Sequence, residues 1–211
     1  IEKSSNDIAF KFNDQDLTYG EYDLKANQVA NGLINEGCLP NSRVAVLAKN
    51  SVSYAEIIFG SLKTRTALVG LNWRLAGPEV VFVVNDSESE VLFVGPDFYE
   101  LVESVKDQFT HVKKIIAMDE SHDVWQSYSS WRDTSDNIDP GLEGHADDDV
   151  IQLYTSGTTG HPKGVRLTNK NINASTPMVE ETWGKDWHER SVNFVLSPLF
   201  HIAGSNIVIM G

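Results

Sequence analysis

The sequence predicts an α/β fold in which a mostly parallel sheet is flanked by helices. Short apolar runs alternate with helical patterns along most of the chain, which is typical of this fold class. The 211 residues, of which 41% are hydrophobic and 22% charged, suffice to bury a core without disulfides or metals. No stretch approaches the length of about 18 consecutive apolar residues that a membrane-spanning helix needs.

Two helices in the first third of the chain are predicted from their end signals. Thr18 and Glu21 form a capping box, and Gly37 is placed to end the helix that this box begins. A second box, Ser53 with Glu56, predicts a helix to about residue 63. Strand patterns alternate with these helices at residues 8–12, 43–48, 67–71, 91–94 and 112–117.

The middle of the chain continues the alternation and then interrupts it. Pro78 suits the first turn of a helix, and another helix is expected from residue 97 to about 109. Between residues 119 and 150, ten acidic residues accompany a single base, Arg132. We interpret this run as a solvated linker and surface loop. It divides the chain into a first α/β unit at about 1–118, an acidic connecting segment at 119–149 and a second unit at 150–211.

The second unit is expected to be incomplete. Residues 150–154 predict a strand, Thr168 caps a helix to about Val179, residues 192–196 predict another strand, and an apolar helix begins at Gly204. That last helix has no end signal before the sequence stops, and the first residue is not Met. We therefore expect a piece of a longer protein.

Charge and cysteine content argue against several functions. Lys and Arg number 17 against 30 Asp and Glu, and this net charge of −13 disfavours general nucleic-acid binding and docking to anionic lipid. The one cysteine, Cys38, cannot form an internal disulfide, so a reducing compartment is expected, by default the cytoplasm. The histidines other than His201 show no metal-ligand spacing.

The segment from Tyr154 to Val165 carries the strongest chemical signal. It follows a predicted strand within residues 150–179, which contain three bases and no acid. Glycines let backbone N–H groups approach an anion, hydroxyl groups donate further hydrogen bonds, and a lysine neutralises charge. Those residues are Gly157, Gly160 and Gly164, the hydroxyl residues Thr155, Ser156, Thr158 and Thr159, and Lys163. The pattern predicts a phosphate-binding loop.

Two better-known loop motifs do not fit this segment. A P-loop needs glycine before its lysine and Ser or Thr after it, but Pro162 precedes Lys163 and Gly164 follows it. A nucleophile elbow needs glycines on both sides of Ser156, two residues away, and these are missing, so this serine is not interpreted as a nucleophile. A plain surface loop rich in Gly, Ser and Thr remains the alternative, which the order of the residues disfavours.

The ten residues TSGTTGHPKG at 155–164 resemble the phosphate-binding signature of the adenylate-forming superfamily. The resemblance extends through LTY at 17–19, NWRL at 72–75 and LSPLFHIAG at 196–204, and is greatest to bacterial fatty-acyl-CoA synthetases. It implies an ATP-dependent ligase that activates a carboxylic acid as an acyl-adenylate and transfers the acyl group to coenzyme A. Mg²⁺ would offset charge on the phosphates.

The resemblance also implies roles for individual residues. The β- and γ-phosphates of ATP would be held by Thr155, Ser156, Gly157, Thr158, Thr159, Gly160 and Lys163. Lys163 and His201 are the catalytic candidates, because this histidine matches one that borders the carboxylate where the acyl and ATP sites meet. Trp73 and Arg74 are interpreted as structural. Thr66 stands where glycine is usual in the superfamily, a departure that affects packing.

The implied activity leaves alternatives open. The superfamily's adenine- and Mg²⁺-binding motif, its ribose-binding aspartate and its C-terminal lid domain have no counterpart in these 211 residues, so the chain alone is expected not to catalyse. An aryl- or amino-acid-activating enzyme of the same superfamily is the first alternative, and a non-catalytic nucleotide-binding relative is the second. The acid, the thiol acceptor, the oligomeric state and any membrane contact of the whole enzyme stay open.

Overall fold

The structure is a computed structural model that describes residues 4–118, 120–155, 162–183 and 191–210. Its first two strands, β1 (Ile8–Phe12) and β2 (Gln15–Thr18), form a small antiparallel hairpin. The strands of the main sheet are β3 (Arg43–Leu47), β4 (Ala67–Gly70), β5 (Ser89–Val94), β6 (Lys114–Ala117), β7 (Gln126–Ser127), β8 (Asp149–Thr155) and β9 (Lys163–Thr168).

The main sheet has the strand order β7-β6-β5-β3-β4-β8-β9. Every neighbouring pair in it is parallel except β8 and β9, which pair antiparallel. The predicted α/β fold with a mostly parallel sheet is confirmed. Because β8 pairs with β4, the strand that begins the second predicted unit lies in the same sheet as the strands of the first.

Helices cover the sheet on both sides. In chain order, the described α-helices are α1 (Tyr19–Asn35), α2 (Val52–Thr64), α3 (Gly77–Asp86), α4 (Tyr99–Val105), α5 (Tyr128–Asp133), α6 (Asn169–Trp183) and α7 (Ile202–Met210). One apolar core lies between the sheet and α1, α2 and α5, and the other lies between the sheet and α3 and α4. The central strands are therefore buried on both faces, which explains their continuous apolar runs.

The predicted capping box is present at the start of α1 and absent from the start of α2. Thr18 Oγ1 accepts a hydrogen bond from Glu21 N–H at 3.2 Å, and Glu21 Oε2 accepts one from Thr18 N–H at 3.0 Å, so the predicted box is confirmed. Gly37 follows the end of α1 with a φ of 82°. For α2 the cap is Ser51, whose hydroxyl accepts from the N–H of Tyr54, and the predicted box at residues 53 and 56 is wrong.

Two further expectations need correction, and one strand was not expected. The helix expected from 97 to 109 is α4 alone, with short 3-10 turns on either side at 96–98 and 106–108. Residues 192–196 pair with no strand in the part of the chain that the structure describes. The strand β9 was not predicted, because its six residues KGVRLT lie largely exposed and lack an apolar run.

The acidic segment is more than the solvated linker that its composition predicts. Trp125, Tyr128 and Trp131 are buried, and the last two pack around Phe93 of β5. The carboxylate of Asp148 is also buried, where it accepts two hydrogen bonds from the Arg65 guanidinium. The number of acidic residues did not predict this burial, because the apolar side chains between them decide which parts of the acidic segment are buried.

Among the described residues, no helix combines the length and hydropathy that crossing a membrane requires.

Candidate active site

The candidate site lies at the carboxyl edge of the sheet, where β3, β4 and β8 end. These strands are parallel, so their carboxyl ends and the loops that follow them meet at one edge, the usual place for ligands in such sheets. The predicted phosphate-binding loop leaves β8 at this edge. Thr155 and Lys163 are directly paired across the β8–β9 ladder and are exposed, so the two ends of the predicted loop lie side by side.

Part of the predicted loop is outside the described residues. This part comprises Ser156, Gly157, Thr158, Thr159, Gly160 and His161. The structure therefore describes the two ends of the loop, Thr155 and Lys163, and the strands that hold them.

The ends of β8 and β9 next to the loop, which we call the stem, are held in place by polar side chains. The hydroxyl of Tyr154 donates to Asp86 Oδ2 at 2.6 Å and accepts from Gln152 Nε2 at 3.0 Å. Burial, followed by the bond to Asp86, raises the pKa of the Tyr154 phenol above its ordinary value, so the phenol stays a neutral donor. Gly164 faces Tyr154 across the ladder, and a Cβ there would lie 2.6 Å from Gln152 Nε2.

An ion-pair network anchors the start of β8. Asp149 accepts hydrogen bonds from Arg43 at 3.1 Å and from Arg166 at 3.3 Å. The Arg43 guanidinium also donates to Gln152 Oε1 at 3.2 Å, so these bonds continue along β8 to Tyr154. Side chains from β3, β8 and β9 thus set the register of the hairpin that carries the loop.

A turn at 197–201 lies on the same edge of the sheet. The side-chain amide of Asn50, in the segment between β3 and α2, donates to the carbonyl of Ser197 at 3.0 Å and accepts from the N–H of Leu199 at 2.8 Å. Phe200 packs against the end of β4 so closely that a Cβ on Gly70 would lie 2.8 Å from Phe200 Cα. The turn brings His201 to the edge from which the loop leaves β8.

His201 is exposed and directly precedes α7. Its Nδ1 accepts a hydrogen bond from the N–H of Ala203 at 3.3 Å. A neutral imidazole that accepts at Nδ1 carries its proton on Nε2, so Nε2–H is the group available to donate to a ligand.

Two residues interpreted as structural lie against this turn. Trp73 and Phe200 meet edge to face with ring centroids 6.4 Å apart, and the guanidinium of Arg74 lies 3.9 Å from the Trp73 ring centroid. The loop after β4 and the turn before His201 are therefore one packed unit. Sequence reasoning missed this contact because the residues are more than 120 positions apart.

Thr66, the residue that stands where glycine is usual in the superfamily, lies inside the protein. It is buried, its hydroxyl shares a hydrogen bond with that of Thr64 at 2.9 Å, and it lies before β4 at the opposite edge of the sheet from His201.

No group of three or more His, Cys, Asp or Glu side chains that could hold a metal ion occurs within the described ranges. The cations nearest the loop in sequence are Lys163 and Arg166, from the stretch that contains no acid.

The parallel α/β sheet with this loop and turn at its carboxyl edge is the fold of the N-terminal part of adenylate-forming enzymes. The crystal structure of the anthranilate CoA ligase AuaEII in complex with anthranoyl-AMP superimposes with a TM-score of 0.86 at 27% identity, covering 97% of this chain and 40% of that one. The family model for AMP-binding enzymes matches residues 1–211, and the chain belongs to that family.

Similar proteins of this family include ligases for fatty acids. The fatty acid–[acyl-carrier-protein] ligase ScoC of Streptomyces coeruleorubidus is 36% identical over 194 residues, which cover 89% of this chain and 35% of that protein. The long-chain-fatty-acid–CoA ligase FadD13 of Mycobacterium tuberculosis is 31% identical, with 92% and 37% covered. The chain thus spans little more than a third of the length of these relatives, and its resemblance to the adenylate-forming superfamily is confirmed.

Proposed function

We propose that the protein containing this chain is an ATP-dependent acyl-CoA synthetase. It activates a carboxylic acid, preferably a fatty acid, as an acyl-adenylate and then transfers the acyl group to coenzyme A. The observation that carries the proposal is the loop sequence at 155–164, set at the carboxyl end of β8 and closed by the pairing of Thr155 with Lys163. The fatty-acid ligases among the relatives support the choice of substrate.

The proposed first step is adenylation. A carboxylate oxygen forms a bond to the α-phosphorus of ATP, the bond from that phosphorus to the bridging oxygen breaks, and pyrophosphate leaves with the electron pair. We assign binding of the β- and γ-phosphates to Thr155, Ser156, Gly157, Thr158, Thr159, Gly160 and Lys163. The ammonium group of Lys163 offsets the charge that develops on the leaving pyrophosphate.

The proposed second step is thiolysis. The sulfur of coenzyme A bonds to the acyl carbon, AMP leaves with the electrons of the broken C–O bond, and the thiol proton passes to solvent. In both steps we assign His201 a positioning contact, in which Nε2–H donates to an oxygen of the acyl group.

The described residues offer no carboxylate or imidazole set for Mg²⁺, so no step is assigned to a metal held by them. We further propose that the protein acts in the cytoplasm, and that the chain divides functionally into a first α/β unit at 1–118, the acidic segment at 119–149 and the phosphate-loop unit at 150–211.

An aryl-acid-activating enzyme is the second candidate. The observation that favours it is the similarity in structure to the anthranilate CoA ligase, with a TM-score of 0.86. The two candidates share the loop and differ in the acid, so a panel of fatty and aromatic acids separates them.

The test is removal of the Lys163 ammonium group in the whole protein. Carboxylate-dependent exchange of labelled pyrophosphate into ATP should fall by about 100-fold or more in Lys163→Ala, because the charge on the leaving group loses its counterion. Lys170→Ala removes another exposed lysine from the same acid-free stretch, and exchange should stay within about twofold of the unaltered protein.

Equal exchange by Lys163→Ala and the unaltered protein would refute the role of this lysine. Binding of ATP without exchange for any acid in the panel would instead support a non-catalytic nucleotide-binding protein.

A further inference from the structure

Asn50 has a placement that its local sequence does not explain. It lies three residues beyond the end of β3 and directly before Ser51, the cap of α2. Both functional atoms of its amide are used on backbone groups almost 150 positions away, Nδ2 on the carbonyl of Ser197 and Oδ1 on the N–H of Leu199. One side chain thus satisfies the backbone on both sides of Pro198.

The segment that Asn50 holds leads without a break to His201. Leu199 is buried, and Phe200 lies on Gly70 at the end of β4. The N–H of His201 donates to the carbonyl of Pro198 at 3.0 Å, which closes the turn. Only Phe200 separates the anchored Leu199 from His201, so a shift of the turn relative to β3 moves the imidazole with it.

We propose that Asn50 is a positioning residue for His201. Its amide fixes the turn at 197–201 on the carboxyl edge of the sheet, and thereby fixes where Nε2–H of His201 meets the acyl group. This inference rests on the function proposed above. It predicts that Asn50 contributes to adenylation through His201 and has little effect on the rate when that imidazole is absent.

A purely structural role for Asn50 is the competing explanation, and the chain offers a matched control. Asn85, near the end of α3, makes the same two bonds at another place: Nδ2 donates to the carbonyl of Gln108 at 2.9 Å, and Oδ1 accepts from the N–H of Thr110 at 2.9 Å. This second pair of hydrogen bonds also lies on either side of one residue, Phe109, and is away from the turn at 197–201. Asn85→Ala therefore measures how much stability is lost in general when such a pair of hydrogen bonds is removed.

The experiment is a double-mutant cycle in the whole protein, with exchange of labelled pyrophosphate into ATP as the readout. Asn50→Ala should lower the exchange rate by about tenfold to 100-fold, because small displacements of a positioned group cost this much. In the His201→Ala background, Asn50→Ala should change the rate by less than about twofold. Asn85→Ala should lower the melting temperature but leave the exchange rate per folded molecule unchanged.

Equal rate losses from Asn50→Ala with and without His201, or equal effects of Asn50→Ala and Asn85→Ala on both readouts, would overturn the inference. Should Asn50→Ala fail to fold, Asn50→Asp keeps the acceptor for Leu199 and replaces the donor to Ser197 with a charged oxygen that repels this carbonyl, and the same cycle applies.

A nuclear magnetic resonance measurement separates this inference from the proposed function. With labelled histidine, the ring signals of His201 should shift in Asn50→Ala, because the imidazole then moves relative to the residues at the edge of the sheet. If the unaltered protein shows no exchange with any acid, the proposed function fails. If the His201 signals are the same in Asn50→Ala, the positioning role fails whatever the activity.

Discussion

Tyr154 and Gly164 show at the residue scale how the loop stem depends on single side chains. The Tyr154 hydroxyl uses its donor on Asp86 and accepts from Gln152, while its ring lies over Gly164. A methyl group at 164 would meet both the ring and the Gln152 amide. Glycine at this position is needed for close packing of β8 against β9, whereas the motif alone predicts only that it lets the backbone approach a phosphate.

Asp148 and Arg65 form an ion pair near the start of β8, in which the carboxylate is buried. The two hydrogen bonds are 2.8 and 2.9 Å long, and Arg65 makes them from a left-handed backbone conformation, with a φ of 59°. Those bonds, and a further one from the N–H of His145, hold the pKa of the Asp148 carboxyl below its ordinary value. Stability from this pair is therefore present above the unfolded-state pKa of about 3.9 and is lost as pH falls through the lower folded-state value.

We predict that Asp148→Asn lowers the free energy of unfolding at pH 7 by about 1–3 kcal/mol, because Arg65 loses its charged acceptor. Thermal melts from pH 7 to pH 3 should show the difference from the unaltered protein shrinking below about pH 4. The exposed neighbour Asp147 provides the control, since Asp147→Asn should change stability little. A deficit of constant size over the whole pH range would contradict this assignment.

At the scale of elements, α1 and α2 pack closely against each other at Gly60. A Cβ on Gly60 would overlap Val29, lying 2.6 Å from Val29 Cβ, and would also lie 3.2 Å from the carbonyl of Ala26. The absence of a side chain at position 60 lets the two helices approach over the sheet.

We expect Gly60→Ala to be destabilising although alanine is the better helix former by about 1 kcal/mol. Overpacking costs typically about 1–3 kcal/mol and should exceed that gain here. Urea denaturation measures the change, and Val29→Ala provides the matched background. It removes Val29 Cγ1, the nearest atom that the new methyl group meets, but keeps Val29 Cβ, so the loss of stability from Gly60→Ala should be smaller in that background without disappearing. Stabilisation by Gly60→Ala in the unaltered background would show that the helices are not in this contact.

Glu56 shows why some elements could be predicted and their details could not. Its spacing from Ser53 matched a capping box, but its carboxylate is buried and accepts from Arg132 and Tyr128 of α5 at 2.8 and 2.7 Å. The local sequence shows only that Ser53 and Glu56 are three residues apart. The burial of Glu56 depends on α5, the helix that packs against it. The box at Thr18 was predictable because both its partners lie within one turn.

Strands that are buried on both faces could be predicted from the sequence. The prediction was wrong at 192–196, where a strand would also need a neighbouring strand to pair with. The apolar runs of β3, β4, β5 and β8 follow from burial on two sides. At 192–196, Val192, Phe194 and Leu196 alternate as in a strand but are 77%, 79% and 86% exposed. Alternation indicates side-chain directions, while a strand also needs a neighbour to complete its hydrogen bonds.

For the whole molecule, the fold class and the position of the loop followed from sequence, but the arrangement around it did not. The order of Gly, Ser, Thr and Lys at 155–164 predicted a phosphate site after a strand, and β8 ends where the loop begins. The roles of Asn50 and Gly70 required the structure, because their contacts with the turn at 197–201 join residues about 130 to 150 positions apart. The acid-free stretch at 150–179 sets this region apart from the rest of a chain with a net charge of −13.

The most direct test of the central claim is to identify the product that the whole protein forms from ATP and a carboxylic acid in the absence of any thiol. Mass spectrometry of reactions with a panel of fatty and aromatic acids should detect an acyl-AMP together with an equal amount of pyrophosphate. The account predicts this product with at least one acid, and conversion to a thioester when coenzyme A is added. Formation of ADP and phosphate, or no acyl-AMP with any acid, would contradict it.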